Sequence, residues 1–292
     1  MSRRKTKRAL RRVLAPLAPV LALALAAAYY FAPAPQQPSS QGEAALYVLD
    51  VGQGDSLLLE SGGQWALIDA GTADSAQAVL GALEEFSVPQ LSLAVATHPH
   101  ADHIGGMAEV LSQVDVRHFW MPDVVHTSAV FDGMLTALEG SGAEVQAVQR
   151  GDEFALGQLT LRVLSPGPEP DGDDLNNASV VLLCEGAGVR MLLTGDAEQP
   201  VEEEIVRQGL GRIDILKAGH HGSRNASCEE LLAAAQPRWA VISCGIGNSY
   251  GHPHEETLER LERSGAQVYR TDTQGRVSFV ISEGEVYVHT ER

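Results

Sequence analysis

The stretch THPHADHIGG, residues 97–106, places three histidines and one aspartate within six consecutive positions, directly after the apolar run LSLAVAT. His98 and His100 stand two apart at the end of a predicted strand, so both imidazoles emerge on one side. Asp102 and His103 follow in the next turn. Imidazole nitrogens and carboxylate oxygens are ligands suited to zinc or manganese. The spacing predicts two adjacent ions, with His98 and His100 at one and Asp102 and His103 at the other, whereas a lone histidine would indicate only a polar turn.

Further candidate ligands stand directly after other predicted strands. Asp196 ends the run MLLTGD, where one carboxylate could serve both ions. His220 and His221 follow DILKAG, and the sequence leaves open which of them is the ligand. Asp69 ends WALID and is expected to support a ligand histidine from behind. Each signal is weak alone, because an aspartate after a strand is usually a turn or helix cap.

Short runs rich in Val, Leu and Ile alternate with helical patterns along the body of the chain. Strands are predicted for ALYVLDV, SLLLES, WALIDA, LSLAVAT, QLTLRVLS, SVVLLCE, VRMLLTGD, DILKAG, WAVISCG and three C-terminal runs. Helices are predicted over residues 73–86, 103–113, 198–208, 228–235 and 254–264. Two sheet-rich halves flanked by helices indicate a four-layered αββα sandwich, although the pattern alone does not separate this from other α/β folds.

The N-terminal region predicts export. Basic residues 1–12 precede an apolar run over 13–32, about the ~20 residues that span a bilayer. The positive charges place the N-terminus in the cytoplasm and the body outside. A cleaved signal peptide is the alternative to a membrane anchor, because Ala26–Ala28 offers small residues to a peptidase. Residues 33–43 have the composition of a tether, so the folded domain is expected at 44–292, either anchored or secreted.

The composition argues against a broad nucleic-acid-binding surface and against a disulfide framework. Seven of the 21 basic residues lie in the first twelve positions, so the remainder carries 14 basic against 38 acidic side chains, a formal charge of −24. Such a body is poorly suited to holding nucleic acid through phosphate neutralisation without bound metal or a local basic patch. Cys184, Cys228 and Cys244 are odd in number and lack CxxC spacing, so we expect packing residues and no disulfide framework.

The order of Asp69, HPHADH, TGD and HHGS resembles that of the metallo-β-lactamase superfamily of metal hydrolases. The flanking LDVGQGDS, NNAS, LKAGHHGS and YGHPHEE look like the extracytoplasmic hydrolase domain of ComEC-type competence proteins. The resemblance covers roughly residues 44–290. It implies an αββα sandwich with two divalent ions at the sheet edges, zinc in the first place and manganese as the alternative, and a phosphodiesterase or nuclease role. Only one apolar run is present, so DNA uptake by this chain alone is not expected.

One departure from the superfamily pattern concerns the first ion. The pattern supplies a third histidine between HPHADH and TGD, but the histidines of that interval, His118 and His126, precede the strands that should feed the site. Three polar residues stand where that ligand is expected, namely Asn176, Asn177 and Ser179. We therefore expect the first ion to be held loosely, with solvent or an asparagine oxygen completing its ligands.

The candidate catalytic residues are Asp102 and His252. A hydroxide shared by the ions is the expected nucleophile, because bound metal lowers the pKa of water from about 15.7 to about 7. His252 follows WAVISCG and is expected to donate to substrate or leaving group, with packing as the alternative. His254 is predicted to begin a helix. Asp55, in the turn GQGD, either supports the site or completes a hairpin, and Ser223 of HHGS is a further candidate contact.

Three functions remain open from the sequence. The first is a secreted or tethered hydrolase of phosphodiesters, acting on DNA, a nucleotide or a cell-wall polymer, with membrane contact through residues 13–32 if they are uncleaved. The second is amide or ester hydrolysis, including β-lactams. The third is a non-catalytic module that metal only stabilises. Structural zinc sites are usually closed by four protein ligands, so an apparently missing ligand favours catalysis. No stable protein partner is inferred.

Overall fold

The computed structural model describes residues 43–292. The predicted basic segment, the anchor or signal segment and all but the last residue of the predicted tether therefore lie outside the described residues. The first strand begins at Ala44, where the folded domain is expected to start. Across residues 43–292, no helix has both the length and the apolar character needed to cross a membrane.

Fifteen strands and eight α-helices make up the described range. The strands are β1 (Ala44–Val48), β2 (Leu57–Ser61), β3 (Gln64–Ile68), β4 (Leu91–Val95), β5 (Val116–Met121), β6 (Glu144–Ala147), β7 (Glu153–Leu156), β8 (Leu159–Ser165), β9 (Val181–Gly186), β10 (Val189–Leu193), β11 (Ile215–Lys217), β12 (Trp239–Ile242), β13 (Gln267–Arg270), β14 (Val277–Ser282) and β15 (Glu285–Thr290). The helices are α1 (Ala76–Glu85), α2 (Ala101–Ile104), α3 (Met107–Gln113), α4 (Ala129–Ser141), α5 (Gln199–Arg207), α6 (Glu229–Ala235), α7 (Glu255–Arg263) and α8 (Thr271–Gln274). Short 3-10 turns cover Ala73–Ser75 and Gly219–Gly222.

The strands form two mixed sheets. The first has the order β15-β14-β1-β2-β3-β4-β5-β6, and the second has the order β13-β12-β11-β10-β9-β8-β7. In the first sheet, β3 to β6 are parallel neighbours. In the second, β10 to β13 are parallel neighbours. Because parallel strands end at the same sheet edge, the loops that follow them are brought together in each sheet.

Three hydrophobic clusters separate four layers. One lies between the sheets and includes Leu46 and Leu161. A second packs the outer face of the first sheet against α1, α3 and α4, and includes Tyr47. A third packs the outer face of the second sheet against α5, α6 and α7. Alternate residues of β1 enter different clusters, as the two-residue period of a strand requires. The layered α/β arrangement predicted from the sequence is confirmed, and the three cysteines are free and buried.

The prediction of one continuous helix over residues 103–113 is wrong. The structure has α2 and α3 instead, divided by Gly105 and Gly106. A Cβ at Gly106 would stand 2.4 Å from the carbonyl oxygen of Ala70, and a Cβ at Gly105 would stand 2.4 Å from the nitrogen of Ala73. The loop after β3 therefore presses directly on this backbone. This close approach, which the helical period does not encode, divides the helix.

Residues 114–157, to which the sequence analysis assigns no elements, contain β5, α4, β6 and β7. Every residue of β6 is exposed, so it lacks an apolar alternation to detect. The helix α4 does carry end signals. The Ser128 side chain accepts a hydrogen bond from the Phe131 nitrogen, and Gly142 takes a left-handed conformation directly after the helix. Those two signals were available in the sequence.

The packing between the sheets predicts a large loss of stability in Phe279→Ala. The Phe279 ring is fully buried and meets the rings of Trp239 and Tyr269 across the sheet interface, with centroids 6.5 Å and 6.0 Å away. Truncating such a side chain should lower the free energy of unfolding by about 3–5 kcal/mol, measured by urea denaturation followed by circular dichroism. Tyr287→Ala, at an exposed position, should lower it by less than about 1 kcal/mol. Equal losses would contradict this account.

Candidate metal centre

Side chains at the carboxyl ends of strands from both sheets meet at one edge of the sandwich. The first sheet supplies residues that follow β3 and β4, and the second supplies residues that follow β10 and β11. Two groups of ligand-type atoms result, and within each group the atoms lie within 4.8 Å of one another. The first group is His98, His100 and Asp196, and the second is Asp55, His103, Asp196 and His221.

Asp196 belongs to both groups, and its two carboxylate oxygens face different histidines. Oδ1 lies 3.2 Å from Nε2 of His103 and 3.6 Å from Nε2 of His221. Oδ2 lies 3.7 Å from Nε2 of His98 and 3.7 Å from Nε2 of His220. A single buried carboxylate is therefore placed between two sets of imidazoles, in the position that the sequence predicts for a bridging ligand.

His220 and His221 lie on opposite sides of this carboxylate, although they are adjacent in sequence. The cause is the backbone of the turn after β11, where both residues are left-handed, with φ 47° and ψ 51° at His220 and φ 53° and ψ 26° at His221. The sequence poses a choice between these two histidines, and the structure brings both to the centre. His220 lies next to the same Asp196 oxygen as His98, on the side where this chain lacks the third histidine of the superfamily pattern.

We define the first cluster as His98, His100, His220 and Oδ2 of Asp196, and the second cluster as Asp102, His103, His221 and Oδ1 of Asp196. In the first, Nε2 of His98 is 3.0 Å from Nδ1 of His100. In the second, Nε2 of His221 is 3.3 Å from Nε2 of His103 and 3.3 Å from Oδ2 of Asp102. Ligands bonded at about 2.0–2.2 Å to one tetrahedral ion stand about 3.3–3.6 Å apart. In the first cluster, His98, His100 and Asp196 have donor atoms within 4.8 Å of one another, as do His103, His221 and Asp196 in the second, so each set is compact enough to hold a divalent ion. His220 and Asp102 each adjoin one member of their cluster, at 3.7 Å from Asp196 and 3.3 Å from His221.

Most of these imidazoles have a partner behind the ring. Nδ1 of His103 donates to Oδ2 of Asp69 at 2.7 Å, as expected for Asp69. Nδ1 of His220 donates to Oε1 of Glu198 at 2.9 Å, a contact that the sequence analysis missed although Glu198 lies only two residues after Asp196. Such partners fix the ring and select the nitrogen that faces the metal. His221 is held in the same way by the carbonyl oxygen of Ser243, at 3.0 Å from its Nδ1.

Residues 49–246 match the sequence profile described as the Metallo-beta-lactamase superfamily. The chain belongs to this superfamily. It is 33% identical over 260 residues to ComE operon protein 3 of Bacillus subtilis, which covers 82% of this chain and 33% of that protein. It is 31% identical over 249 residues to Competence protein ComA of Neisseria gonorrhoeae, which covers 84% of this chain and 33% of that protein. Both are ComEC-type competence proteins, which confirms the resemblance, and the chain spans about a third of their length.

Solved structures support the fold. The diiron β-hydroxylase CmlA from Streptomyces venezuelae matches with a TM-score of 0.56 at 13% identity, covering 81% of this chain and 54% of that chain. The metallo-β-lactamase fold protein YhfI from Bacillus subtilis matches with a TM-score of 0.53 at 12% identity, covering 85% of this chain and 99% of that chain. At such identities the likeness concerns the fold alone. The superfamily consists in general of metal-dependent hydrolases, and its members bind divalent metals.

Opposite charges raise the pKa values of two histidines of the second cluster, whereas burial lowers those of His98 and His100 in the first. Burial alone would lower the pKa of His103, but the carboxylates of Asp196 and Asp69 raise it well above its ordinary value. Burial likewise opposes a charge on His221, yet Asp196 and Asp102 raise its pKa to about 9. Burial would raise the pKa of Asp196, but His103 and His221 hold it well below its ordinary value. Protons on these imidazoles therefore balance the carboxylates when no metal is bound.

The other candidates occupy different places around the centre. Asp55 lies behind His221, with Oδ1 3.3 Å from Nδ1 of that ring. Ser179 Oγ accepts from the Asp196 nitrogen and lies 3.4 Å from Nδ1 of His98. The Asn177 side chain donates a hydrogen bond to Oδ2 of Asp174 and accepts one from the backbone nitrogen of Glu198, so it stabilises the turn before α5. Ser223 is buried, and its Oγ accepts from the Asn225 nitrogen. Neither Asn177 nor Ser223 lines the pocket over the centre.

A pocket of about 330 Å³ opens over the centre. Four residues outside the two clusters give it a polar and aromatic wall: Gln53, Asn176, Tyr250 and His252. Nδ1 of His252 is buried and finds no hydrogen-bond partner among residues 43–292. Burial and the nearby His220 and His221 lower the pKa of His252 to about 4, so it is neutral at pH 7. Tyr250 and His252 lie in the motif YGHPH, and Gln53 lies in LDVGQGDS, so all three belong to segments that carry the resemblance.

The raised pKa values predict that metal affinity depends on pH. His221 must lose its proton to bind a metal, so the affinity should rise about tenfold per pH unit for each proton displaced, and level off above about pH 9. Without metal, the same raised pKa stabilises the fold fully below the unfolded value of about 6.5, and this contribution is lost as pH rises through about 9. The melting-temperature increment produced by metal should therefore grow between pH 6.5 and pH 9.

The control for this linkage is His118→Ala. The His118 imidazole pairs with Glu144 on the first sheet, at 3.4 Å, and belongs to neither cluster. Its removal should leave the pH dependence unchanged. Affinity measured by chelator competition that stays constant from pH 6.5 to pH 9 would contradict the assignment of protonated imidazoles to the metal-free centre.

Proposed function

We propose that this superfamily member is a metal-dependent hydrolase of phosphodiesters, acting outside the cytoplasm in a tethered or secreted form. The observation that carries the proposal is the Asp196 carboxylate, which faces one set of imidazoles with each oxygen at the floor of an open pocket. The likeness to ComEC-type proteins across the domain supports the phosphodiester branch. The basic and apolar residues 1–32 support export.

The two clusters would hold the divalent ions, zinc or manganese. Ions bound there would lower the pKa of a water molecule and neutralise negative charge that develops on the phosphate. The chain's own residues orient the reaction. Asp69, Glu198 and the Ser243 carbonyl fix the imidazoles from behind, so the donor atoms stay in place when substrate enters. Asp102 lines the pocket beside His221 and, in addition to its place in the second cluster, would be the carboxylate available to accept a proton from the attacking water.

His252 lines the pocket beside two imidazoles of the clusters, with ring centroids 5.3 Å from His220 and 6.3 Å from His221. Its backbone is fixed by Asn248, whose Oδ1 accepts from the His252 nitrogen and whose Nδ2 donates to the His252 oxygen. Because the imidazole is neutral at pH 7, it acts by donating an N–H hydrogen bond to a phosphate or leaving-group oxygen. Tyr250 stacks on it, with ring centroids 5.7 Å apart and an interplanar angle of 24°.

The size of the pocket and the charge of the body bear on the substrate. A volume of about 330 Å³ is at the lower end of small-molecule sites, and a body of charge −24 does not attract long polyanions. We therefore favour a nucleotide, a strand end of DNA or a phosphodiester of a cell-wall polymer. Amide and ester hydrolysis, including that of β-lactams, is the competing chemistry.

Removing the bridging carboxylate or a first-cluster imidazole should abolish turnover. Asp196→Ala and His100→Ala should each lower kcat/KM on bis-p-nitrophenyl phosphate by more than about 100-fold, the upper loss typical of residues that only orient a ligand. Chelation of the wild type should do the same, and added zinc or manganese should restore activity. His118→Ala should keep full activity. Undiminished turnover in Asp196→Ala, or faster hydrolysis of nitrocefin than of the phosphodiester, would refute the proposal.

His252→Ala should separate chemistry from metal binding. We expect kcat on the same phosphodiester to fall by about 100-fold or more, the range for loss of a positioned proton or hydrogen-bond donor. Metal content by elemental analysis should not change, because His252 belongs to neither cluster. The matched control is His254→Ala. His254 lies in the same loop, directly before α7, and its Nδ1 accepts a hydrogen bond from the backbone nitrogen of Arg224. Similar losses of kcat in both variants would argue for a packing role.

A further inference from the structure

Lys217 is the only lysine of the sequence after residue 12, and it is fully buried. It ends β11, three residues before His220. Its Nζ lies 2.5 Å from Oδ2 of Asp55, which is itself buried. Burying two charges costs several kcal/mol per ion, and apolar residues of similar volume often replace such a pair without loss of stability. A buried lysine at this position therefore calls for a role beyond stability.

Asp55 connects Lys217 to the second cluster. Its Oδ1 lies 3.3 Å from Nδ1 of His221, on the side of the ring that faces away from the cluster. Its backbone nitrogen donates to the carbonyl oxygen of Asp102 at 3.1 Å. The Asp55 carboxylate is also close enough to His103, Asp196 and His221 to be counted among their ligand atoms. Asp55 is therefore a carboxylate that could either support the cluster or enter it as a ligand.

We propose that Lys217 is a positioning residue for the second cluster. Its ammonium holds the Asp55 carboxylate behind the ring of His221. The Ser243 carbonyl already accepts from Nδ1 of His221, so Nε2 of that ring faces the cluster together with His103. With Asp55 held back by the ammonium, Asp102 remains the carboxylate that binds there. Lys217 in this way selects which of two neighbouring aspartates is a ligand. The inference rests on the proposed function in one respect, since it requires the centre to bind metal.

A purely structural role for the pair is disfavoured by other contacts of the same loop. If Lys217 and Asp55 served only to join the GQGD loop to the second sheet, they would repeat links already present. Ser243 Oγ donates to the carbonyl oxygen of Gly54 at 2.6 Å, and the Gly245 nitrogen donates to Oε1 of Gln53 at 3.1 Å. Those neutral hydrogen bonds fix the loop without the desolvation free energy that two buried charges cost.

The test compares Lys217→Met, Asp55→Asn and the double variant in the full-length chain. Each is measured for bound zinc or manganese per chain, for affinity by chelator competition, and for the melting temperature of the metal-free form. We expect Lys217→Met and Asp55→Asn each to lower the affinity for one of the two ions by about 10–100-fold and to leave the affinity for the other unchanged. The double variant leaves no charge unpaired. We expect it to recover the metal-free melting temperature but not the affinity of the weakened ion.

The outcomes separate this inference from the proposed function. Wild-type affinity for both ions in Lys217→Met would overturn the inference alone, as would a double variant that recovers affinity together with melting temperature. A wild-type protein that binds neither ion would overturn both. If a single variant fails to fold, the double variant carries the test, because it has no buried lone charge. Arg207→Met, which removes an exposed cation from α5, is the control and should change neither quantity.

Discussion

The buried carboxylate of Asp196 is the contact on which the arrangement of the centre depends. A carboxylate that is almost fully excluded from solvent is stable only among positive charges or strong donors. Here imidazoles from both sheets meet its two oxygens, so the two halves of the sandwich are joined at their strand ends by one side chain. The parallel order of the central strands makes this possible, because it brings the loops after β4, β10 and β11 to a common edge. The topology of the sheets therefore brings the imidazoles to Asp196, and those imidazoles in turn stabilise its buried charge.

This arrangement bears on how an acidic protein can handle an anionic substrate. The body carries a formal charge of −24, and its one lysine is buried against Asp55. In the part of the chain that the structure describes, the pocket wall presents imidazoles, amides and a tyrosine and no lysine or arginine. On the proposed function, attraction for a phosphodiester would come from the two ions and not from basic side chains. Binding of substrate would then depend on the loading of both clusters, and the positions of the ligands would govern affinity as much as rate.

The sequence predicted the parts of the site that sit on regular strand ends. The spacing within HPHADH follows from the two-residue period of β4, and Asp69 and Asp196 each follow an apolar run, so all of them could be found by pattern. The sequence did not predict that His220 and His221 lie on different sides of Asp196, because that depends on two successive left-handed residues, a conformation rarely adopted outside glycine.

Glu198 and Lys217 were missed for another reason. Glu198 contacts His220, and Lys217 contacts Asp55. These partners are distant in sequence, and neither hydrophobic period nor spacing encodes such a contact. The same holds for the division of α2 from α3, which is imposed by the loop after β3.

The distribution of stability favours a chemical use for the metal over a purely structural one. Small zinc modules fold only when the ion is bound, because they lack a core of their own. This domain has three hydrophobic clusters, and those between and outside the sheets enclose its strands without contribution from the ligands. The centre itself adds costs: left-handed backbone at two histidines, of about 1–3 kcal/mol each, and a buried ion pair beside them. Features that destabilise a fold persist where they position groups for binding or reaction. The three clusters contain none of the candidate ligands, while the candidate ligands form a strained and charged set of side chains under an open pocket. On the proposed function, this separation favours a chemical use for bound metal over a structural one.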